Sequence, residues 1–213
     1  MFIELLATNY PVYLAAVMTI VVSITLHELA HGVAAIKLGD DTPAWSGHMT
    51  WNPWVHMGPF SLIACFLAGI AWGSMPVDPT RLRGKRAEAI VAVVGPLVNL
   101  ALAVLAYTAL GLWTRYLIAN AAEITQRIDR GMMVLEVVGS FNLLLFVFNL
   151  LPIPPLDGSK ILASFHRGYG SWMANPANQG VGLMLFIFAF AIARPIAREL
   201  SDLGMAYVGL VAG

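Results

Sequence analysis

Val12 to Ile36 is a nearly unbroken apolar stretch. Wound as a helix at 1.5 Å per residue it is about 37 Å long, enough to span hydrocarbon with some tilt. Two further runs, Ala87 to Trp113 and Gly131 to Leu151, meet the same requirement, and a fourth begins at Val181 and reaches Ile192, with Arg194, Pro195 and Arg198 just beyond it. Of the 213 residues, 59% are hydrophobic and 11% charged, where a soluble domain carries about a quarter charged residues. The chain is therefore expected to be an all-α polytopic membrane protein with about four spanning helices. Nothing large enough to be a soluble domain separates the runs, so residues 1–213 are read as a single domain.

The connecting pieces are shorter and less regular. Lys37 to Gly58 is rich in Gly, Pro and Trp, and the loose alternation of Gly47 to His56 leads us to expect a short strand or small β-hairpin at the interface. Pro59 to Trp72 is apolar but only about 14 residues long, which suits a re-entrant or interfacial element better than a span. The first run has no basic segment before it and no small-residue cleavage site, and is too long for a signal peptide, so the N-terminus is expected to be retained. Lys plus Arg and Asp plus Glu are 12 each, so no basic excess points to nucleic acid. The lone Cys65 lies in an apolar run and reads as packing.

Basic residues set the expected orientation. If Pro59 to Trp72 does not cross, Lys37, Arg81, Arg83, Lys85, Arg86, Lys160 and Arg167 share one face, against Arg115, Arg127 and Arg130 on the other. The positive-inside tendency makes the richer face cytoplasmic.

The chemistry sits on the first run. His27-Glu28-Leu29-Ala30-His31 is an HExxH, and on a helix its two imidazoles share a face, so they can bind one zinc while Glu28 reaches a water beside it. With five His in the chain, such a motif arises by chance about three times in a thousand sequences of this composition. Two His and a Glu inside an apolar span are also costly unless they bind or react. A zinc site needs a third protein ligand. Asp157 is the candidate: it follows Pro152, Pro154 and Pro155, which break the chain at the end of a span, and broken backbone at membrane depth belongs in protein or a wet cavity. Taken alone, Pro-Pro-Leu-Asp-Gly reads as a turn leaving the membrane; the pairing with HExxH reverses that. Glu123 and Glu136 are expected toward the opposite face, which makes them poor third ligands. Along ideal helices His31 and His27 lie about 9 and 15 Å from Lys37, and Asn99 about 18 Å from Ala87 on a helix rising from the same face, so one site can hold all of them.

Three motifs in order, HExxH at His27 to His31, G-P-x-x-N at Gly95, Pro96 and Asn99, and N-x-x-P-x-P-x-L-D-G at Asn149 to Gly158, make the chain resemble the site-2 proteases, a family of intramembrane zinc metalloproteases, in a compact prokaryotic branch without PDZ or CBS modules. Thr50, Asn52, Pro53 and His56, and Trp72-Gly73 followed by Pro76 to Pro79, add to the likeness; Gly58 departs from it, where an Asp is expected. The resemblance implies three core helices around one Zn2+ per chain, a substrate strand beside the metal, and Asn99 and Asn149 holding substrate backbone or the developing oxyanion. On its residue type alone, Asn99 is as readily a buried amide bonding across helices. His56 is either a support behind the ligands or a substrate contact, or an interfacial anchor beside Trp51 and Trp54. His48 and His166 read as interface residues.

The expected activity is metal-assisted hydrolysis of peptide bonds in or near transmembrane segments of membrane proteins, with Glu28 as general base. The expected location is the cytoplasmic membrane of a bacterium or archaeon, with the active site nearer the cytoplasmic face. A substrate helix must unwind first, and an edge around Gly47 to His56 is expected to pair with it. The alternatives are a catalytically silent scaffold of the same fold, against which the intact motifs argue, and a transporter, for which no paired half-repeats are found.

Overall fold

The computed structural model describes residues 2–120 and 126–213. A short helix α1 (Glu4–Thr8) leads into α2 (Tyr10–Lys37), which starts where the Asn9 side chain accepts from the Val12 amide and Pro11 occupies the first turn. It ends at Leu38, and Gly39, at φ +99°, turns the chain back. After a one-turn α3 (Thr42–Trp45) comes α4 (Pro53–Ala68), capped by Asn52 and kinked at Gly58, whose φ of +64° suits glycine. A strap over residues 70–78, without helix or strand, then leads to α5 (Ala87–Ala119) and α6 (Gln126–Asn149). Beyond lie α7 (Asp157–Phe165), α8 (Arg167–Ala174), a 3-10 turn (Pro176–Asn178), α9 (Gln179–Ala191) and α10 (Ala193–Ala212).

Among the described residues, α2, α5 and α6 are long and apolar enough to cross a membrane, and the C-terminal pair, bent by 54°, would make a fourth span. The all-α expectation holds. The hairpin expected at Gly47 to His56 does not: no strand occurs among the described residues, 47–52 are turn, bend and irregular backbone, and Pro53 opens α4. The alternation there had no partner to pair with, whereas an Asn cap followed by Pro starts a helix locally. The short apolar helix accordingly begins at Pro53, six residues before the expected Pro59, and ends at Ala68.

Helix α5 is the hub, packing on α2, α6, α7 and α10. One apolar cluster joins Tyr13, Val17, Ile20 and Ile24 of α2 to Met57, Leu62 and Cys65 of α4, and the Tyr13 hydroxyl reaches the Phe66 carbonyl at 2.8 Å. A second centres on Tyr107, Leu110 and Val208, where the Tyr107 ring is packed against Gly139 of α6 and Gly204 of α10. Between them, α2 and α5 approach closely at Gly95, and there the polar side chains collect.

Candidate metal centre

His27 and His31 lie one turn apart on α2, and Asp157 opens α7, delivered by the proline-rich turn that follows Asn149. All three are buried, 5 to 6% exposed, and Glu28 is buried at 7%. Nε2 of His27 lies 2.9 Å from Nε2 of His31 and 3.0 Å from Oδ2 of Asp157, and Nε2 of His31 lies 3.2 Å from the same oxygen. Three lone-pair atoms thus form a triangle with edges of 2.9 to 3.2 Å. In a tetrahedral zinc site with bonds of about 2.0 Å the ligand atoms stand about 3.3 Å apart. Among the described residues this is the one cluster of His, Cys, Asp or Glu with such geometry.

The other ring nitrogens fit the same assignment. Nδ1 of His31 is 2.7 Å from the Val91 carbonyl, which can only accept, so Nδ1 carries the proton and Nε2 keeps its lone pair. Nδ1 of His27 meets Oδ1 of Asn99 at 2.7 Å, and Nδ2 of Asn99 donates to Oδ1 of Asn142 at 3.0 Å. Both asparagines are fully buried. Without a cation, imidazole lone pairs 2.9 Å apart would repel each other, so the donor set and its protonation fit zinc.

Glycines let the backbone come this near. A Cβ on Gly95 would stand 2.5 Å from Nε2 of His31 and 2.6 Å from Nε2 of His27, so α5 can cross the ligands only as glycine. Gly73 of the strap lies against the Glu28 carboxylate, where a Cβ would overlap Oε1, and Gly158 packs on the Leu150 carbonyl in the turn before α7. The strap is tied down in three places: the Ser61 hydroxyl bonds both the amide and the carbonyl of Trp72, the Ser74 amide donates to the His56 carbonyl, and the Asp78 amide donates to Asp40. Asp40, itself fully buried, also accepts from the amide and hydroxyl of Thr42. Burial pushes its carboxyl upward, but these hydrogen bonds outweigh that and hold it below the ordinary range.

His27, Glu28, His31, Asn99 and Asp157 are thus brought together. Asn149 sits apart, its amide donating to the Leu145 carbonyl of its own helix at 3.0 Å. His56 bonds the Thr50 carbonyl at 2.7 Å through Nε2, and its buried Nδ1 has no partner; the ring makes no hydrogen bond to the metal ligands. Glu123 lies outside the described residues, and Glu136 is not in the cluster. Asn142 and Val91 were not singled out in the sequence, and Gly73 stood there only within the Trp72-Gly73 likeness, with no role assigned. Asn142 left a trace of its own there: it is a polar residue in an apolar span, two helical turns before Asn149.

The model of peptidase family M50 matches residues 15–192. The protein YwhC of Bacillus subtilis, provisionally named a zinc metalloprotease, is 39% identical over 175 residues, covering 81% of this chain and 78% of that protein. Rip2 of Mycobacterium tuberculosis, named likewise, is 30% identical over 176 residues, covering 80% of this chain and 64% of its own length. MJ0611 of Methanocaldococcus jannaschii, with the same kind of name, is 31% identical over 140 residues, covering 64% of this chain and 62% of its own length. No solved structure matches the chain.

Proposed function

The chain belongs to peptidase family M50, the site-2 protease family, and is a zinc metalloprotease of the membrane; from that premise we propose that it hydrolyses peptide bonds in or beside the transmembrane segments of other membrane proteins. His27, His31 and Asp157 hold the metal, and residues 1–213 act as one domain. The observation that carries this reading is the convergence of three buried ligand atoms, within 3.2 Å of one another, two of them on a helix long enough to span the bilayer and the third at the start of α7.

Zinc held there supplies Lewis-acid chemistry, making a water acidic and polarising a carbonyl oxygen. Glu28, next to His27 and on the buried side of α2, offers a carboxylate oxygen that would take a proton from a water and pass it to the leaving amine. His27 and His31 keep their Nδ1 protons on Asn99 and Val91, so each ring stays a metal ligand and not a competing base. Asn149, at the end of α6, spends its amide nitrogen on the Leu145 carbonyl and would meet substrate backbone through its side-chain oxygen, while the Asn99 amide is engaged at both ends by His27 and Asn142. His56 acts through its carbonyl, holding Ser74 and so the strap beside Glu28.

The burial of the four residues bears on access. A substrate backbone cannot reach them while Gly73 covers Glu28, so the strap shifts aside or itself pairs with unwound substrate. His31 lies six residues from Lys37, about 9 Å along the helix, which supports cleavage nearer the face bearing Lys37 and the Arg81 to Arg86 cluster. By the positive-inside tendency that face is cytoplasmic, and the bacterial and archaeal relatives support a cytoplasmic membrane.

The test is zinc content, with cleavage of a model transmembrane substrate, for detergent-purified wild type, Glu28→Gln and Asp157→Ala. About one zinc in wild type and in Glu28→Gln, cleavage lost in both variants, and metal weakened in Asp157→Ala are expected. Zinc-free wild type, or cleavage surviving Glu28→Gln, would sink the mechanism.

A further inference from the structure

The two histidines are oriented by different means. His31 is fixed directly, because a backbone carbonyl on α5 can only accept. His27 faces a side-chain amide, and an amide can turn either end toward it. With Oδ1 facing the ring, Nδ1 carries the proton and Nε2 can bind metal; with Nδ2 facing it, Nδ1 must accept, and the proton moves to Nε2, where it blocks the metal. Nothing in Asn99 itself chooses between these. Its other end meets Asn142, an amide with the same ambiguity. The ambiguity ends one bond further on, where Nδ2 of Asn142 donates to the Val138 carbonyl at 2.9 Å. That oxygen cannot donate, so Asn142 must direct Oδ1 to Asn99, Asn99 must direct Nδ2 to Asn142 and Oδ1 to His27, and His27 must carry its proton on Nδ1.

We propose that Asn142 is a positioning residue of the metal centre: through Asn99 it relays the acceptor sense of the Val138 carbonyl from α6 across α5 to α2 and holds His27 in its metal-binding tautomer. This rests on the reading of His27 as a zinc ligand. Both asparagines are 0% exposed, so no water substitutes for a missing partner, and a reversed relay would set two oxygens face to face at 2.9 Å on α6.

A double-mutant cycle separates this relay from plain packing. Asn142→Leu fills similar space without a polar group, and Asn99→Asp puts before His27 a carboxylate that only accepts, fixing the tautomer without help from α6. Zn2+ affinity of the metal-free protein in detergent, measured by competition with a chelating dye, is the readout. Asn142→Leu is expected to lower affinity about tenfold in the wild-type background and by no more than about threefold in the Asn99→Asp background. An equal loss in both backgrounds would reduce Asn142 to a packing residue and overturn the proposal, as would unchanged affinity in Asn142→Leu alone. If that variant does not fold, the cycle is run with Asn142→Ala and judged by the same criterion. Wild type that takes up no zinc would overturn the metal-centre reading together with the relay, whereas wild type that binds zinc with an additive cycle overturns the relay only.

Discussion

The seam where α2, α5, α6 and α7 meet and the C-terminal pair α9 and α10 are both apolar in sequence, yet they are held in different ways. At the seam, polar groups lie inside and each is directed: His27 to Asn99, Asn99 to Asn142, His31 to Val91. In the C-terminal pair the contacts are mostly shape. Gly204 of α10 accepts the Tyr107 ring, Val211 packs on Gly111, and the Phe186 and Phe190 rings of α9 lie 5.9 Å from Phe148 of α6, while Leu183, Met184, Ile187 and Phe188 face outward. Directed contacts fail when one atom is wrong, whereas shape contacts against lipid tolerate change because a lipid chain is as apolar as the side chain it replaces.

The largest expected effect tests the seam at its tightest point. Gly95→Ala puts a methyl group among the two Nε2 atoms and should lower zinc affinity by about a hundredfold or more, with cleavage lost in proportion. Metal titration decides it; retained affinity would mean that α5 can move off α2 and that the seam is softer than the contrast requires. Gly73→Ala comes next. Its methyl displaces the Glu28 carboxylate and leaves the ligands alone, so cleavage should fall about a hundredfold while zinc content stays at the wild-type level. Zinc lost along with activity would show that the strap supports the ligands as well as the base.

Gly73 also marks where reading the sequence stops. The HExxH and the Leu-Asp-Gly turn were legible because helical spacing and ligand chemistry are local: positions 27 and 31 share a face whatever surrounds them. The long helices were legible from apolar length. The roles of Gly73 and Asn142 were not, although Gly73 stood within the family likeness, because each acts on a residue distant in the chain, Glu28 in one case and, through Asn99, His27 in the other, and no spacing rule connects them. The expected hairpin failed for a related reason. Alternation over Gly47 to His56 describes one edge only, and a strand also needs a partner, which the fold does not provide.

A smaller effect is expected at the joint that fastens the strap. Asp40→Ala leaves the part-buried amides of Thr42 and Asp78 without their acceptor and should cost about 1–3 kcal/mol of stability. The same carboxylate gives a pH signature. Its folded-state value is depressed, so its contribution is complete above the ordinary aspartate value of about 4 and is lost as pH falls through the lower folded value. Hydrogen exchange of the Thr42 and Asp78 amides between pH 6 and 2.5 should show protection falling on the acid side in wild type; Asp40→Asn, with no charge to lose at this position, should flatten that step. A step of the same size in Asp40→Asn would assign it to another group.

The smallest effect is expected where the contrast predicts indifference. Leu183 is 58% and Phe188 63% exposed on α9, a helix that meets the seam-bearing α6 through aromatic edges. Leu183→Ala and Phe188→Ala should each change thermal stability in detergent by about 0.5 kcal/mol or less and leave zinc affinity within twofold. The reason is geometric. Neither side chain fills a cavity in the fold, so shortening it leaves none behind, and the polar relay to His27 ends at Val138, ten residues before Phe148 on α6. A drop in zinc affinity in either variant would mean that α9 presses on α6 strongly enough to set the position of Asn142, and the two regions would then be one mechanical unit.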